Sequence, residues 1–188
     1  MQNFTNEVIE INELPKFEEV KLKGLHNKYI KVLLFNFFVF SGLIYTAYFV
    51  LYFLNPFDWK NYSFYILFPI LVSISVFWYF YIGLSFKKKG FAFRDYDAIY
   101  KSGLISETTT VIPFNRVQHV ALHQGFVSRK LGLAAVELFT AGGESSDLKI
   151  PGLLLEEAQQ IKNLISQKIN PPKDDFDEKE NLIAGTNE

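Results

Sequence analysis

Two long apolar runs without charge dominate the first half of the chain. Residues 32–57 and 61–86 contain no Asp, Glu, Lys, Arg or His. A bilayer core of about 30 Å requires roughly 20 apolar residues of helix, and both runs are too long to be buried strands. A mixed-charge N-terminal segment, residues 1–30, precedes the first run, and we find no small-residue cleavage site behind that run. We therefore predict two retained transmembrane helices, at about 32–55 and 62–86, rather than a secretory signal peptide.

The connection between the two runs is short, because only residues 58–60 separate them. The two helices must then be antiparallel neighbours, with both chain ends on one side of the membrane. Lysines flank the outer ends of this hairpin, whereas the connection contains Lys60 alone. The positive-inside rule predicts a multi-pass protein of the cytoplasmic (inner) membrane with both termini cytoplasmic. The lysines expected to anchor it at the membrane surface are Lys28, Lys31, Lys87, Lys88 and Lys89.

The two predicted spans contain no ionisable group, and this bears on transport. Proton relays and ion pathways usually place such groups inside the membrane, so transport by this chain alone is not favoured. The simpler interpretation is an anchor whose helices can also pack on partner helices. Gly42 and Thr46 form a weak small-residue interface for that packing. Pro69 is expected to kink the second helix.

After residue 86 the pattern changes to short alternations of apolar and polar residues, interrupted by Gly90, Gly103 and Pro113. A period of two with turn residues at these intervals predicts antiparallel strands joined by hairpins. We expect strands within residues 105–113, 117–123, 134–140 and 148–150, a helical turn from residue 126 that ends at Gly132, and a polar hairpin loop at 142–147.

The last predicted element has a helical period. Four apolar residues after Gly152 share one face of an amphipathic helix, at i, i+4, i+7 and i+11. They are Leu154, Ala158, Ile161 and Ile165. Pro171 ends this helix, and residues 171–188 are charged and poor in apolar residues, so we expect a disordered acidic tail. The second half is therefore predicted to be one domain, residues 87–170.

Composition excludes several kinds of site. The net charge is −1, whereas a dedicated nucleic-acid-binding protein needs a broad basic face. The chain has no cysteine, so it has no disulfide, thiolate metal site or cysteine nucleophile. We expect no cofactor and no nucleic-acid partner.

The remaining chemical motifs are weak, and they give no reason to expect an enzyme. His119 and His123 have a helical metal-ligand spacing, but a strand would separate them by roughly 13 Å. Ser128, His123 and Asp147 contain the residue types of a catalytic triad, yet the serine lacks a nucleophile-elbow sequence. Gly142 and Gly143 have neither the strand–helix context nor the Lys-Ser or Lys-Thr pair of a phosphate-binding loop. We predict neither a catalytic nor a metal site.

The polar block from residue 111 to residue 152 resembles the bacterial pleckstrin-homology (PH) domain family of the second type, the YdbS-like membrane proteins. The matching positions, in chain order, are Pro113, Arg116, Val117, Gln118, Val120, Gln124, Gly125, Arg129, Gly132, Leu133, Thr140, Ala141, Gly142, Ile150, Pro151 and Gly152. The resemblance implies an α+β membrane protein in which a transmembrane hairpin precedes a PH-like bent antiparallel sheet or barrel, capped by a C-terminal helix. It implies much less about activity, because one fold hosts many functions.

Four residues form the candidate interaction surface: Arg116, Gln118, Arg129 and Lys130. The structural interpretation of Arg116 is a guanidinium that bonds nearby carbonyls or Glu107 at a strand–turn corner. The functional interpretation is that Arg116, Arg129 and Lys130 meet an acidic partner segment or a lipid phosphate. Recognition of inositol lipids is not expected, because the corresponding loop, residues 94–97, contains two carboxylates.

These observations favour a cytoplasmic binding module held at the membrane. Its partners would be the bilayer and an unidentified membrane or cytoplasmic protein, or a second copy of the same chain. A peptide could dock at a sheet edge or in the groove between helix and sheet. The alternative is an accessory subunit of an export or transport system that contributes its hairpin to a shared pore. An enzyme would require a reactive cluster that the sequence does not show.

Overall fold

A computed structural model describes residues 20–54, 62–141 and 146–169. The short interhelical connection, the two glycines at 142 and 143 and the predicted acidic tail lie outside the described residues, as does most of the N-terminal segment. The predicted fold class is confirmed: two long apolar helices are followed by antiparallel sheets and a C-terminal helix.

Helix α1 is Tyr29–Leu54, and helix α2 is Phe68–Lys88. A π-helical turn, Ser63–Leu67, leads directly into α2. Pro69 lies at the start of α2 and has no N–H with which to continue an α-helical ladder into this turn. The kink expected at Pro69 stays a prediction. Both helices are long and apolar enough to cross a membrane, and the most apolar windows are not buried inside the protein.

The contacts between α1 and α2 differ from the predicted small-residue interface. Thr46 donates its hydroxyl to the carbonyl of Gly42 in its own helix, at 2.8 Å, and a side chain at Gly42 would meet nothing within 4 Å. The helices are joined instead by a hydrogen bond of 3.0 Å between the hydroxyls of Tyr45 and Ser75. Gly42 and Thr46 therefore do not form the contact between α1 and α2, and their packing on a partner helix stays a prediction.

In the part of the chain that the structure describes, seven strands form two antiparallel sheets. The first sheet has the order β1-β2-β3-β4, and the second has the order β5-β6-β7. The strands of the first sheet are Lys23–Gly24, Gly90–Phe93, Asp97–Ser102 and Thr108–Pro113, and those of the second are Val117–His123, Leu133–Thr140 and Leu148–Leu154. A 3-10 turn, Phe114–Arg116, joins the sheets, and the short helix α3, Phe126–Lys130, follows β5.

Helix α4, Leu155–Ile169, closes the domain. It buries Ala158 and Ile165, as its amphipathic pattern predicts, whereas Leu154 lies in β7 and is exposed. The helix starts later than expected because the pairing of β6 with β7 continues to Leu133 and Leu154. The core lies among the two sheets and this helix. Its largest fully buried side chains in the domain are Ile99, Leu133, Val136, Leu138, Ile150, Leu153 and Ile165.

The first sheet includes a strand, β1, that the sequence pattern does not predict. Lys23 and Gly24 of β1 pair with Phe91 and Gly90 of β2. In the sequence, the whole helical hairpin lies between these two strands. The next residue, Leu25, is buried in the domain core. Part of the segment that precedes the first helix therefore belongs to the C-terminal domain.

Candidate functional site

The domain has two ends, which the strand directions define. The proximal end consists of the first turn of α1, the last turn of α2, residues 103–107 and α3. The distal end consists of residues 94–96, residues 114–118 and the last turn of α4. Each strand of β2 to β7, and α4 after them, runs from one end to the other. The candidate residues can therefore be placed by the end at which they lie.

Arg116 and Gln118 lie together at the distal end, and both are exposed. Arg116 is the last residue of the 3-10 turn. The register of β5 against β6 shifts between Val117 and His119, so Gln118 is the extra residue of a bulge. Bulges re-aim side chains and are common next to functional sites. The local backbone thus presents these two polar side chains to solvent.

The side chain of Arg116 makes no hydrogen bond or ion pair with any described residue. Its distal neighbours differ in this respect: Arg94 is paired with Asp97, with Nε donating to Oδ1 at 2.7 Å, and Lys168 Nζ lies 3.6 Å from Asp95 Oδ1. The expected bond between Arg116 and Glu107 is absent, because Glu107 lies at the opposite end of β4. Among the described residues, Arg116 therefore makes neither of the bonds that the structural interpretation expected, to nearby carbonyls or to Glu107.

Arg129 and Lys130 lie at the proximal end, in α3, and both are exposed. Lys130 Nζ lies over the ring of Phe126, 4.6 Å from its centroid. The seven residues of β5 span roughly 20 Å and separate these cations from Arg116. The structure therefore divides the four candidate residues into two surfaces, which cannot contact a single small group together.

The predicted anchoring lysines all lie at the proximal end. Lys28 and Lys31 are exposed near the start of α1, as are Lys87 and Lys88 at the end of α2. Lys89 is half-buried, and this burial lowers its pKa.

Glu107 connects the end of α2 to the first sheet. Its Oε2 is 2.7 Å from Lys101 Nζ, and its Oε1 is 3.7 Å from Lys88 Nζ. The hydrogen bond from Lys101, followed by the charge of Lys101, lowers the pKa of this carboxyl.

The weak catalytic and metal motifs do not assemble among the described residues. His119 and His123 lie on strand β5, as expected, and His119 stacks on Phe139 with ring centroids 4.3 Å apart. No group of three or more His, Asp or Glu side chains in the described ranges could hold a metal ion. Asp147 lies near the distal end of β7, whereas Ser128 lies in α3 at the proximal end, so these triad residues are apart.

Several residues of the family pattern hold the fold together. Gln124 Nε2 donates to the carbonyl of Leu133 at 2.8 Å. One carboxylate oxygen of Asp147 accepts both the N–H and the hydroxyl of Thr140, each at 2.7 Å, and these bonds lower its pKa. Gly132 and Gly152 have φ angles of 69° and 70°, which favour glycine. These residues have structural roles.

Three large side chains outside the helices α1 and α2 were missed as candidates, although they are prominent on the surface. Tyr96 is 85% exposed at the distal end. Ile105 is 84% exposed and Phe126 is 64% exposed, both at the proximal end. The sequence did contain a signal for them. Each is a large side chain in a turn segment, where the alternation of apolar and polar residues along a strand would not bury it.

A small crevice lies between α1 and the domain at the proximal end. It has a volume of about 200 Å³. Tyr29 and Asn36 line its α1 side, and Val127 and Ser128 of α3 line another side. Because α3 contacts α1 here, the domain is packed directly against the start of the first long helix.

Comparison with known proteins identifies the family. A bacterial PH domain family profile matches residues 32–169. The chain is also 34% identical over 82 residues to the UPF0699 transmembrane protein YdbS of Bacillus subtilis (strain 168), a match that covers 44% of this chain and 50% of that protein. The chain thus matches about half the length of this relative. No solved structure matches at a significant level.

These matches agree with the geometry. The match to the family profile includes both long helices, both sheets apart from β1, and α4. Neither comparison indicates a catalytic family. The chain is a membrane protein with two candidate spans, and it belongs to the bacterial PH domain family.

Proposed function

We propose that this protein is a non-catalytic binding module whose distal end, cytoplasmic and held at a distance from the inner membrane, contacts a protein partner. The observation that carries this proposal is the exposure of Arg116 without a partner among the described residues, beside the bulge at Gln118. A planar guanidinium with five donors pairs well with a carboxylate, so the partner segment should be acidic.

The surroundings of Arg116 support a protein partner rather than an inositol lipid. Tyr96 is two residues from Arg94, and its carbonyl accepts the N–H of Phe114 at 2.8 Å, which places this exposed ring near the 3-10 turn. Exposed tyrosine and arginine side chains are common anchors of protein interfaces. The pairing of Arg94 with Asp97 leaves the corresponding turn without a free cation for a phosphate.

A sheet edge offers backbone groups at the same end of the domain. Strand β4 pairs only with β3 in the described structure, and it ends at Pro113, three residues before Arg116. An extended segment could pair with the free edge of β4 and place an acidic side chain at Arg116.

The test is native mass spectrometry of the chain after gentle extraction from its own membranes. We expect a polypeptide of fixed stoichiometry that is lost with Arg116→Ala and retained with Arg129→Ala. The second variant is the matched control, since it removes an exposed arginine from the other end of the domain. Circular dichroism must show that both variants fold.

Two results would contradict the proposal. The wild-type protein could be found alone or with lipid only, or the bound polypeptide could be retained in the Arg116→Ala variant. Binding of a second copy through the distal end would identify the partner as the chain itself.

The alternative, an accessory subunit of an export system, stays a prediction. The charge-free spans would require the ionisable groups of such a pore to come from another chain.

A further inference from the structure

Two exposed apolar side chains lie at the proximal end, where the domain meets the long helices. Ile105 and Phe126 are 84% and 64% exposed, although both belong to the folded domain. Isolated surface apolar residues need no explanation on a protein that is surrounded by water. These two residues, in contrast, lie next to helices that can span a membrane.

Ile105 lies beyond the end of the first sheet, in a connection that is close to α2. The strands β3 and β4 pair up to Ser102 and Thr108, and residues 103–107 extend beyond that last pair. Glu107, at the end of this connection, is close to Lys88 in the last turn of α2. The connection therefore projects toward the helices.

Phe126 occupies the corresponding position beside α1. It is the first residue of α3, whose next residues line the crevice together with Val32 and Asn36 of α1. Asn36 lies about 10 Å along α1 from Tyr29, at a rise of about 1.5 Å per residue. Helix α3 thus lies alongside the first two turns of α1, where the charge-free run begins.

Cations flank both apolar side chains. Arg129 and Lys130 belong to the same short helix as Phe126, and Lys130 covers its ring. Lys87 and Lys88 end α2 on the side of Ile105. An apolar side chain next to exposed cations suits the boundary between headgroups and acyl chains, because the apolar group enters the boundary while the cations meet anionic lipid.

We propose that the proximal end of the domain is a second membrane contact. Ile105 and Phe126 insert into the headgroup region on the α2 side and the α1 side of the helix pair, and Arg129 and Lys130 bind lipid phosphates. The occupant is the bilayer surface, since this contact is continuous with the candidate spans and its charge complements an anionic leaflet. The inference does not depend on a partner at the distal end.

Spin labelling tests this inference, and the absence of cysteine makes single labels unambiguous. The variants are Ile105→Cys, Phe126→Cys and Tyr96→Cys in the full chain, each with a nitroxide, reconstituted in phosphatidylcholine with and without phosphatidylglycerol. Position 96 is the matched control, because Tyr96 is as exposed as Ile105 and more exposed than Phe126 but lies at the distal end. Collision with oxygen reports contact with lipid, and collision with a water-soluble nickel chelate reports contact with water.

We expect the ratio of oxygen to nickel accessibility to be several-fold higher at positions 105 and 126 than at position 96. Equal accessibility to nickel at all three positions would overturn the inference. Labels at 105 and 126 that are immobilised and shielded from both reagents would also overturn it, because a second copy or another protein would then cover this surface.

A charge reversal tests the role of the two cations separately. Arg129→Glu with Lys130→Glu should raise nickel accessibility at position 126, with a larger change in the phosphatidylglycerol membranes, and should leave position 96 unchanged. No change at position 126 would show that these cations do not hold α3 on the membrane. Loss of partner binding in Arg116→Ala would affect none of these labels, so the two proposals fail separately.

Discussion

The backbone of Gly152 lies against the ring of Tyr29. A Cβ atom at position 152 would be 2.5 Å from Tyr29 Cγ and 2.7 Å from its Cβ. The carbonyl of Gly152 also accepts the N–H of His26 at 3.0 Å. Strand β7 and the start of α1 are therefore in direct contact, and this contact requires a residue without a side chain.

Gly152→Ala should lower the free energy of unfolding by about 2–4 kcal/mol, because it adds both a clash and a strained backbone angle. Thermal unfolding in detergent measures the effect. Gly125→Ala is the matched control, since a Cβ at Gly125 would meet nothing within 4 Å and its φ is −67°. Equal stability of the two variants would contradict the close packing.

Gln124→Ala should destabilise the domain by about 1–3 kcal/mol, because the carbonyl of Leu133 loses its hydrogen-bond donor in a buried setting. Chemical denaturation followed by circular dichroism measures the loss. Gln118→Ala should change stability by less than about 0.5 kcal/mol, as is usual for an exposed residue. A comparable loss in both variants would mean that Gln118 has a structural role as well.

The stability of the folded domain at alkaline pH should depend on Tyr100. Burial, assisted by the neighbouring Tyr29, raises the pKa of Tyr100 to about 12. The folded state thus holds this proton more tightly than the unfolded state, whose tyrosine pKa is about 10. Its contribution to stability is fully present below pH 10 and is lost as the pH rises toward 12. The melting temperature of Tyr100→Phe should fall less over this interval than that of the wild type.

The orientation of the hairpin can be measured with the same cysteine-free chain. Tyr96→Cys should react with a membrane-impermeant maleimide in inverted inner-membrane vesicles and not in intact cells, because the distal end is expected to face the cytoplasm. Labelling in intact cells would reverse the predicted topology.

The long helices of the fold could be predicted from the sequence, because the pattern that indicates each helix continues over many residues. The charge-free runs predict α1 and α2, and Ala158 and Ile165 predict the buried face of α4. Strand β1 could not be predicted in this way, because its two residues give no period and its partner lies beyond the hairpin. The late start of α4 also depends on a distant partner, the β6 strand.

The sequence indicated which residues are candidates for the site, but it did not show how they are arranged. The pattern selected Arg116 and Arg129, but it treated them as one surface. The length of β5 separates them, and strand length could have revealed this from the sequence. The sequence could not show that Arg116 is exposed and unpaired among the described residues. This depends on the side chains of Asp95 and Asp97, which form ion pairs with other cations of the distal end.

The pairing of β1 with β2 has a mechanical consequence. The chain enters and leaves the helical hairpin through two adjacent strands of one sheet, and Leu25 fixes the entering strand in the core. Such a double attachment leaves the domain little freedom to swivel about its anchor. When a thicker or thinner bilayer changes the tilt of the helices, the domain should rotate with them as a rigid body. Tyr96 and Arg116, at the distal end, should then be displaced more than any residue at the proximal end.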